Sequence, residues 1–181
     1  MKSSRHAEAV TTVDEKQGAE ARVLTFKEGL LSAVAHDLEI AVERLRVDWS
    51  EQHVTATFDL RSLRVLHAVV SGRPAPGALS THDLRKIEQT IANDLLRTKL
   101  YSEARFQSSS VTASNDGYLL RGALSLVGHS QELSAPVRRE GALYTTELVL
   151  DQRRWGITPY SAMLGTLKLK PEVTVRVSVP A

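Results

Sequence analysis

The stretch LKLKPEVTVRVSV, residues 167–179, decides the reading of the fold. Its apolar side chains, Leu167, Leu169, Val173, Val175, Val177 and Val179, all fall on odd positions. Their even neighbours Lys168, Lys170, Glu172, Thr174, Arg176 and Ser178 are all polar. Successive side chains of a strand point to opposite faces, so a period of two over this length predicts a β-strand with one buried and one wet face. Pro171 keeps the parity but has no N–H to give a ladder, and it marks a bend or an unpaired place.

The same period spreads outward from this segment. Ala142 to Leu150 and Leu133 to Arg139 pair across the Glu140-Gly141 turn, and Tyr118 to Val127 is apolar on its even face at Tyr118, Leu120, Leu124 and Leu126. Asn115-Asp116-Gly117, residues that tolerate positive φ, join that strand to one over Ala104 to Val111. Val54, Ala56, Phe58 and Leu60 point inward from an earlier strand, and Leu24 and Phe26 share one face of a short first strand. Leu38, Ile40 and Val42 are even whereas Leu45, Val47 and Trp49 are odd. A strand cannot change parity without an extra residue, which predicts a bulge or sharp bend near Glu43-Arg44. SGRPAPG, residues 71–77, reads as a loop from its glycine and proline content.

One helix interrupts the strands. Ser80 or Thr81 can cap it, Asp83 falls in its first turn, and Leu84, Ile87, Ile91 and Leu95 form one apolar stripe that suits a helix lying on the barrel. The total is seven or eight antiparallel strands with one inserted α-helix, a mainly β fold that stacks as a sandwich or closes as a barrel. Small residues on the inward faces, Ala56, Ala104, Ser108, Ser110, Gly122 and Thr146, leave space that a barrel of eight strands can give to one guest.

Composition narrows the function. The chain has 181 residues, 42% hydrophobic and 24% charged, the size and balance of one globular domain. A net charge of +2 gives no footprint for nucleic acid, and the absence of cysteine removes disulfides, thiolate metal sites and thiol catalysis. Residues 1–20 are expected to be a flexible polar tail, with residues 21–181 as the barrel domain. No apolar run of signal-peptide length opens the chain and none approaches a membrane span, so the expectation is a cytoplasmic protein without stable membrane insertion.

Candidate chemistry is thin. His36-Asp37 and His82-Asp83 are two His-Asp pairs, the start of a metal-dependent hydrolase site if the topology joins them. His129-Ser130 lacks the strand-turn-helix elbow of a serine nucleophile. Arg153-Arg154-Trp155 reads as a solvated turn whose Trp packs inward, and Arg153, Arg154 or His36 at a barrel mouth could contact a lipid headgroup.

Several strings, in their order, resemble the YceI-like family: Tyr101-Ser-Glu-Ala-Arg-Phe106 after the helix, Gly122-Ala-Leu-Ser-Leu-Val-Gly128 with Pro136-Val137, then Arg154-Trp-Gly-Ile157, Pro159-Tyr160 and Leu164-Gly165 before the long alternating strand. The resemblance covers about residues 22 to 180 and implies an antiparallel, eight-stranded, lipocalin-like barrel enclosing a polyisoprenoid, an isoprenoid quinone or another lipid chain, often as a homodimer. On this basis the chain is expected to be a binding protein and not an enzyme, with no cofactor and a long-chain apolar small molecule as its partner. Phe26, Leu38, Ile40, Phe58, Phe106, Leu124, Tyr144, Leu148, Ile157, Tyr160 and Met163 are the expected lining of its tunnel. A metal hydrolase built on the His-Asp pairs, or a filled barrel acting only through its surface, are the alternatives.

Overall fold

The computed structural model of the chain describes residues 11–13, 18–28, 36–50 and 52–181. The strands in chain order are β1 (Thr11–Val13), β2 (Glu20–Thr25), β3 (Lys27–Glu28), β4 (Asp37–Val42), β5 (Leu45–Trp49), β6 (Val54–Asp59), β7 (Leu63–Val70) and β8 (Arg73–Ala75). After the helix α1 (Thr81–Thr90) come β9 (Glu103–Ser114), β10 (Gly117–Leu126), β11 (His129–Glu140), β12 (Leu143–Asp151), β13 (Ser161–Ala162), β14 (Leu167–Leu169) and β15 (Glu172–Pro180). The fold is mainly β with one helix, and every strand pair among the described residues is antiparallel.

The main sheet runs β1-β5-β6-β9-β10-β11-β12-β15-β2-β4-β7-β8, and β13, β14 and β3 form a small second sheet. Among the described residues the main sheet therefore has twelve strands, not the eight expected. The difference has a physical cause. Residues 37–49 and 54–70 are two long segments that break at the same level, one at Glu43-Arg44 and the other at residues 60–62, so each counts as two strands, and the three-residue edge strands β1 and β8 add the other two. β4 pairs with β7 at one end of the sheet order while β5 pairs with β6 at the other, so the chain curls the sheet strongly upon itself.

Ser62, fully buried, sits at the centre of that bend. Its Oγ accepts the Arg44 N–H at 2.9 Å and donates to the Asp59 carbonyl at 2.7 Å. The Glu43 N–H donates to the Ser62 carbonyl and the Asp59 N–H to the Arg44 carbonyl. One hydroxyl and two backbone bonds thus occupy polar groups that the broken ladders would otherwise leave unpaired. Asp59 holds the outer side: Arg61 and Arg44 donate to its carboxylate, and these bonds lower its pKa to about 2 against the desolvation that raises it.

The long alternating segment divides between the two sheets. β14 belongs to the small sheet and β15 to the main one, and the break is at Lys170-Pro171, where the proline expects it. The Gln152 N–H takes the Pro171 carbonyl, the Gln152 side chain donates to the Lys170 carbonyl, and the odd parity survives the break. Arg73–Ala75, read as loop, adds a short edge strand to β7, with Pro74 at the sheet edge, where a missing donor is tolerated. Thr11–Val13, inside the stretch assigned to the tail, pairs with β5.

The helix begins at Ser80 with a reciprocal capping box: the Ser80 Oγ accepts the Asp83 N–H, and the Asp83 carboxylate accepts the Ser80 N–H. It continues from α1 into a π-helical turn over Ile91–Leu95. Leu84, Ile87 and Ile91 pack on Leu38, Ile40 and Val65, while Leu95 and Leu96 join Trp155. Glu88 reaches down to accept the Val65 N–H at 2.9 Å, which ties the helix to β7.

Candidate ligand cavity

The inward face of the curled sheet is packed at one end and hollow at the other. At the packed end Val47, Val54, Ala56, Phe106, Leu120 and Val137 form one buried cluster. Trp49, Tyr118 and Tyr144 lie against it, with Trp49 stacked on Tyr144 at 5.1 Å and edge-on to Tyr118 at 5.2 Å. At the other end lies a cavity of about 480 Å³, within the roughly 300–1,000 Å³ usual for small-molecule sites.

Individual strands cross from one region to the other. β15 sends Val173 and Val175 to the cavity and Val179 to the packed cluster; β12 does the same with Leu150 and Leu148. β10 gives Leu124 and Leu126 to the cavity but Leu120 to the cluster, and β6 divides Phe58 from Val54 and Ala56. The helix closes one side of the hollow end through Ile87, Ile91 and Leu95. The turn over Gln152–Trp155 closes another, with Trp155 fully buried and its Nε1 donating to the Leu124 carbonyl at 2.8 Å. The lining is apolar except for Asp83, Lys86 and Thr90 on the helix, and Thr25, His36, Gln152, Tyr160 and Lys170 on the walls.

Of the residues expected to line a tunnel, Leu38, Ile40, Phe58, Leu124, Ile157 and Tyr160 line this cavity. Phe106, Tyr144 and Leu148 face inward but belong to the packed end. Phe26 does not line it, because β2 turns Ala21, Val23 and Thr25 inward, which puts Leu24 on the other face, and residue 26 lies beyond the strand's end. The side chain of Met163 lies outside the described residues. The residues missed on the wall were legible in part: Leu167, Leu169, Val173 and Val175 are the odd face of the segment quoted first. The helix stripe was also read, but as packing on the barrel, and Ile87, Ile91 and Leu95 face the hollow.

The small inward residues act differently from the expectation. Ser108 is buried and its hydroxyl accepts the Val54 N–H at 2.8 Å. At Gly122, where the β9–β10 register shifts, a Cβ would stand 2.2 Å from the Gln107 carbonyl oxygen, so this glycine admits a backbone and not a guest. Of that group only Ala104 lines the cavity.

The His-Asp pairs have other employment. The Asp37 carboxylate accepts the Lys27 N–H at 2.7 Å, and Asp83 is held by the capping box, whose bonds from Ser80 lower its pKa. No group of three or more His, Cys, Asp or Glu able to hold a metal occurs among the described residues. His129 Nδ1 lies 3.1 Å from the Val127 carbonyl in the β10–β11 turn.

With this geometry the comparison with known proteins is direct: the family model of the YceI-like domain matches residues 8–181. The chain belongs to the YceI-like family. The fold of this YceI-like chain is similar to that of Burkholderia cenocepacia BcnA, at a TM-score of 0.64 and 17% identity over 93% of this chain and 99% of that one. It is also similar to a polyisoprenoid binding domain from Saccharophagus degradans implicated in plant cell wall breakdown, at a TM-score of 0.59 and 12% identity over 96% of this chain and 99% of the other. No curated protein matches the chain. No helix among the described residues is long and apolar enough to cross a membrane.

Proposed function

We propose that this YceI-like chain binds a long apolar molecule, a polyisoprenoid, an isoprenoid quinone or another lipid, in the hollow end of its curled sheet, and does so without catalysis. The observation that carries the reading is the division of one inward face into a packed end and an apolar cavity of about 480 Å³ under a helix. A chain entering it exchanges water for Ile40, Leu124 and Val175, and each methylene buried is worth roughly 0.8 kcal/mol before ordering costs. The family adds weight, as does the polyisoprenoid binding domain among the similar folds. Taking β4–β5 and β6–β7 as one bent strand each, and setting aside the short edge strands β1 and β8, would make the wall a ring of eight, the size that holds one small ligand. The reading also covers residues 21–181 as the binding domain and a cytoplasmic homodimer, for which light scattering and fractionation are the checks.

Mass spectrometry of an organic extract tests the binding. The purified chain is expected to release a stoichiometric long-chain compound, and Ile40→Trp, which fills the cavity from β4, to release little while keeping the wild-type circular dichroism. Extracts no richer than a mock preparation would favour a barrel that acts through its surface.

A further inference from the structure

We propose that the guest of this cavity carries an anionic head, a carboxylate or a phosphate, received at the rim by Lys86 and Lys170; this rests on the carriage reading above. Both lysines line the cavity and both are exposed, which places them where the apolar interior meets water. They come from different walls: Lys86 from the helix, Lys170 from the break between β14 and β15. The backbone of Lys170 is pinned on two sides, its N–H on the Phe26 carbonyl at 2.8 Å and its carbonyl under the Gln152 amide at 3.2 Å.

The other basic groups near this end are already engaged. Lys168 pairs with Glu28 at 3.2 Å, Arg153 with Asp151 at 2.6 Å, and Arg154 donates to the Glu132 carbonyl while its guanidinium lies over Trp155. Among the described residues neither Lys86 nor Lys170 forms a salt bridge of that kind, although the charge of Lys86 acts on the nearby Asp83 carboxylate and helps to lower its pKa. Among the described residues the lining has one carboxylate, Asp83, one helical turn before Lys86, and its Oδ2 is turned to the Ser80 N–H and hydroxyl at 3.1 and 2.6 Å. The stems of both lysines can lie along apolar wall while the ammonium groups stay wet, an arrangement that suits a molecule apolar along its length and negative at its end. Engagement of the arginines leaves the head contact to these two lysines, with His36 also on the lining.

Calorimetric titration of the delipidated full chain with palmitate, hexadecanol, farnesyl phosphate and farnesol at low ionic strength decides the matter. The anionic member of each pair is expected to bind about fivefold more tightly or better, a margin of the size that two partly exposed charge pairs supply. Lys86→Gln combined with Lys170→Gln should bring each pair within about twofold, with the thermal midpoint unchanged because both side chains are exposed. A larger margin for farnesyl phosphate than for palmitate assigns the phosphate head; the reverse assigns the carboxylate. Equal binding of charged and neutral partners by the wild type, or an undiminished preference in the double variant, overturns the proposal. Failure of all four probes to bind overturns the carriage reading itself, and the anionic head falls with it.

Discussion

Ser62 shows how much a single hydroxyl can hold. It answers one donor and one acceptor at the level where two long strands break, and it is wholly shielded from water. Ser62→Ala removes the acceptor of the Arg44 N–H at a fully buried position, so a loss of about 1–3 kcal/mol is expected, read as a fall of roughly 2–4 °C in thermal midpoint per kcal/mol. Asp59, on the outer side of the same bend, gives a pH signature. Its folded pKa of about 2 lies below the ordinary 3.8, so its stabilisation is complete above pH 3.8 and is lost as pH falls through about 2. Urea midpoints at pH 5 and pH 2.5 should therefore differ less in Asp59→Asn than in the wild type, and an equal difference would show that other carboxylates carry the acid sensitivity. The parity change from Val42 to Leu45 announced the bend in the sequence. Nothing in the sequence announced that Ser62 would satisfy it, because the two breaks meet only when the strands are paired.

At the scale of elements, periodicity was legible wherever one face is wet. The helix stripe, its Ser80 cap and the break at Pro171 follow from spacing and from the chemistry of single residues. Faces were harder to assign. β2 is too short for its alternation to choose a side, and it is its neighbours β4 and β15 that turn Val23 inward and Leu24 outward. Edge pairing by Arg73–Ala75 also depends on a partner strand, β7, and not on local propensity. The helix is an element with two duties, covering the sheet and closing the cavity. Ser80→Ala removes the capping box and is expected to weaken the helix by about 0.5–2 kcal/mol. Hydrogen exchange should quicken over residues 84–95 while β10 and β11 keep their protection; exchange that quickens everywhere equally would mean that the helix does not open by itself.

For the whole molecule, the division of the interior into a filled and an empty half is the property that matters for function. Aromatics make up only 5% of the chain, and composition cannot say where those few rings gather. Trp49, Tyr118, Tyr144 and Phe106 gather at one end and fill it, whereas Phe58, Trp155 and Tyr160 stand on the wall of the other end and leave its space open. Substitutions at the two ends should then separate stability from binding. Phe106→Ala opens a void in the packed cluster and is expected to cost about 3–5 kcal/mol, while leaving the cavity wall intact. Leu124→Trp should do the opposite, abolishing lipid uptake with a smaller change in stability. Urea unfolding and uptake of a fluorescent fatty acid, measured on both variants, check the separation. The most direct measurement is methyl NMR of the chain titrated with a stearate bearing a nitroxide near its chain end. Broadening is expected at Ile40, Leu124 and Ile157, with Val54, Leu120 and Val137 spared. Broadening confined to surface methyls, or spread evenly through both halves, would contradict a hollow end built to hold a chain.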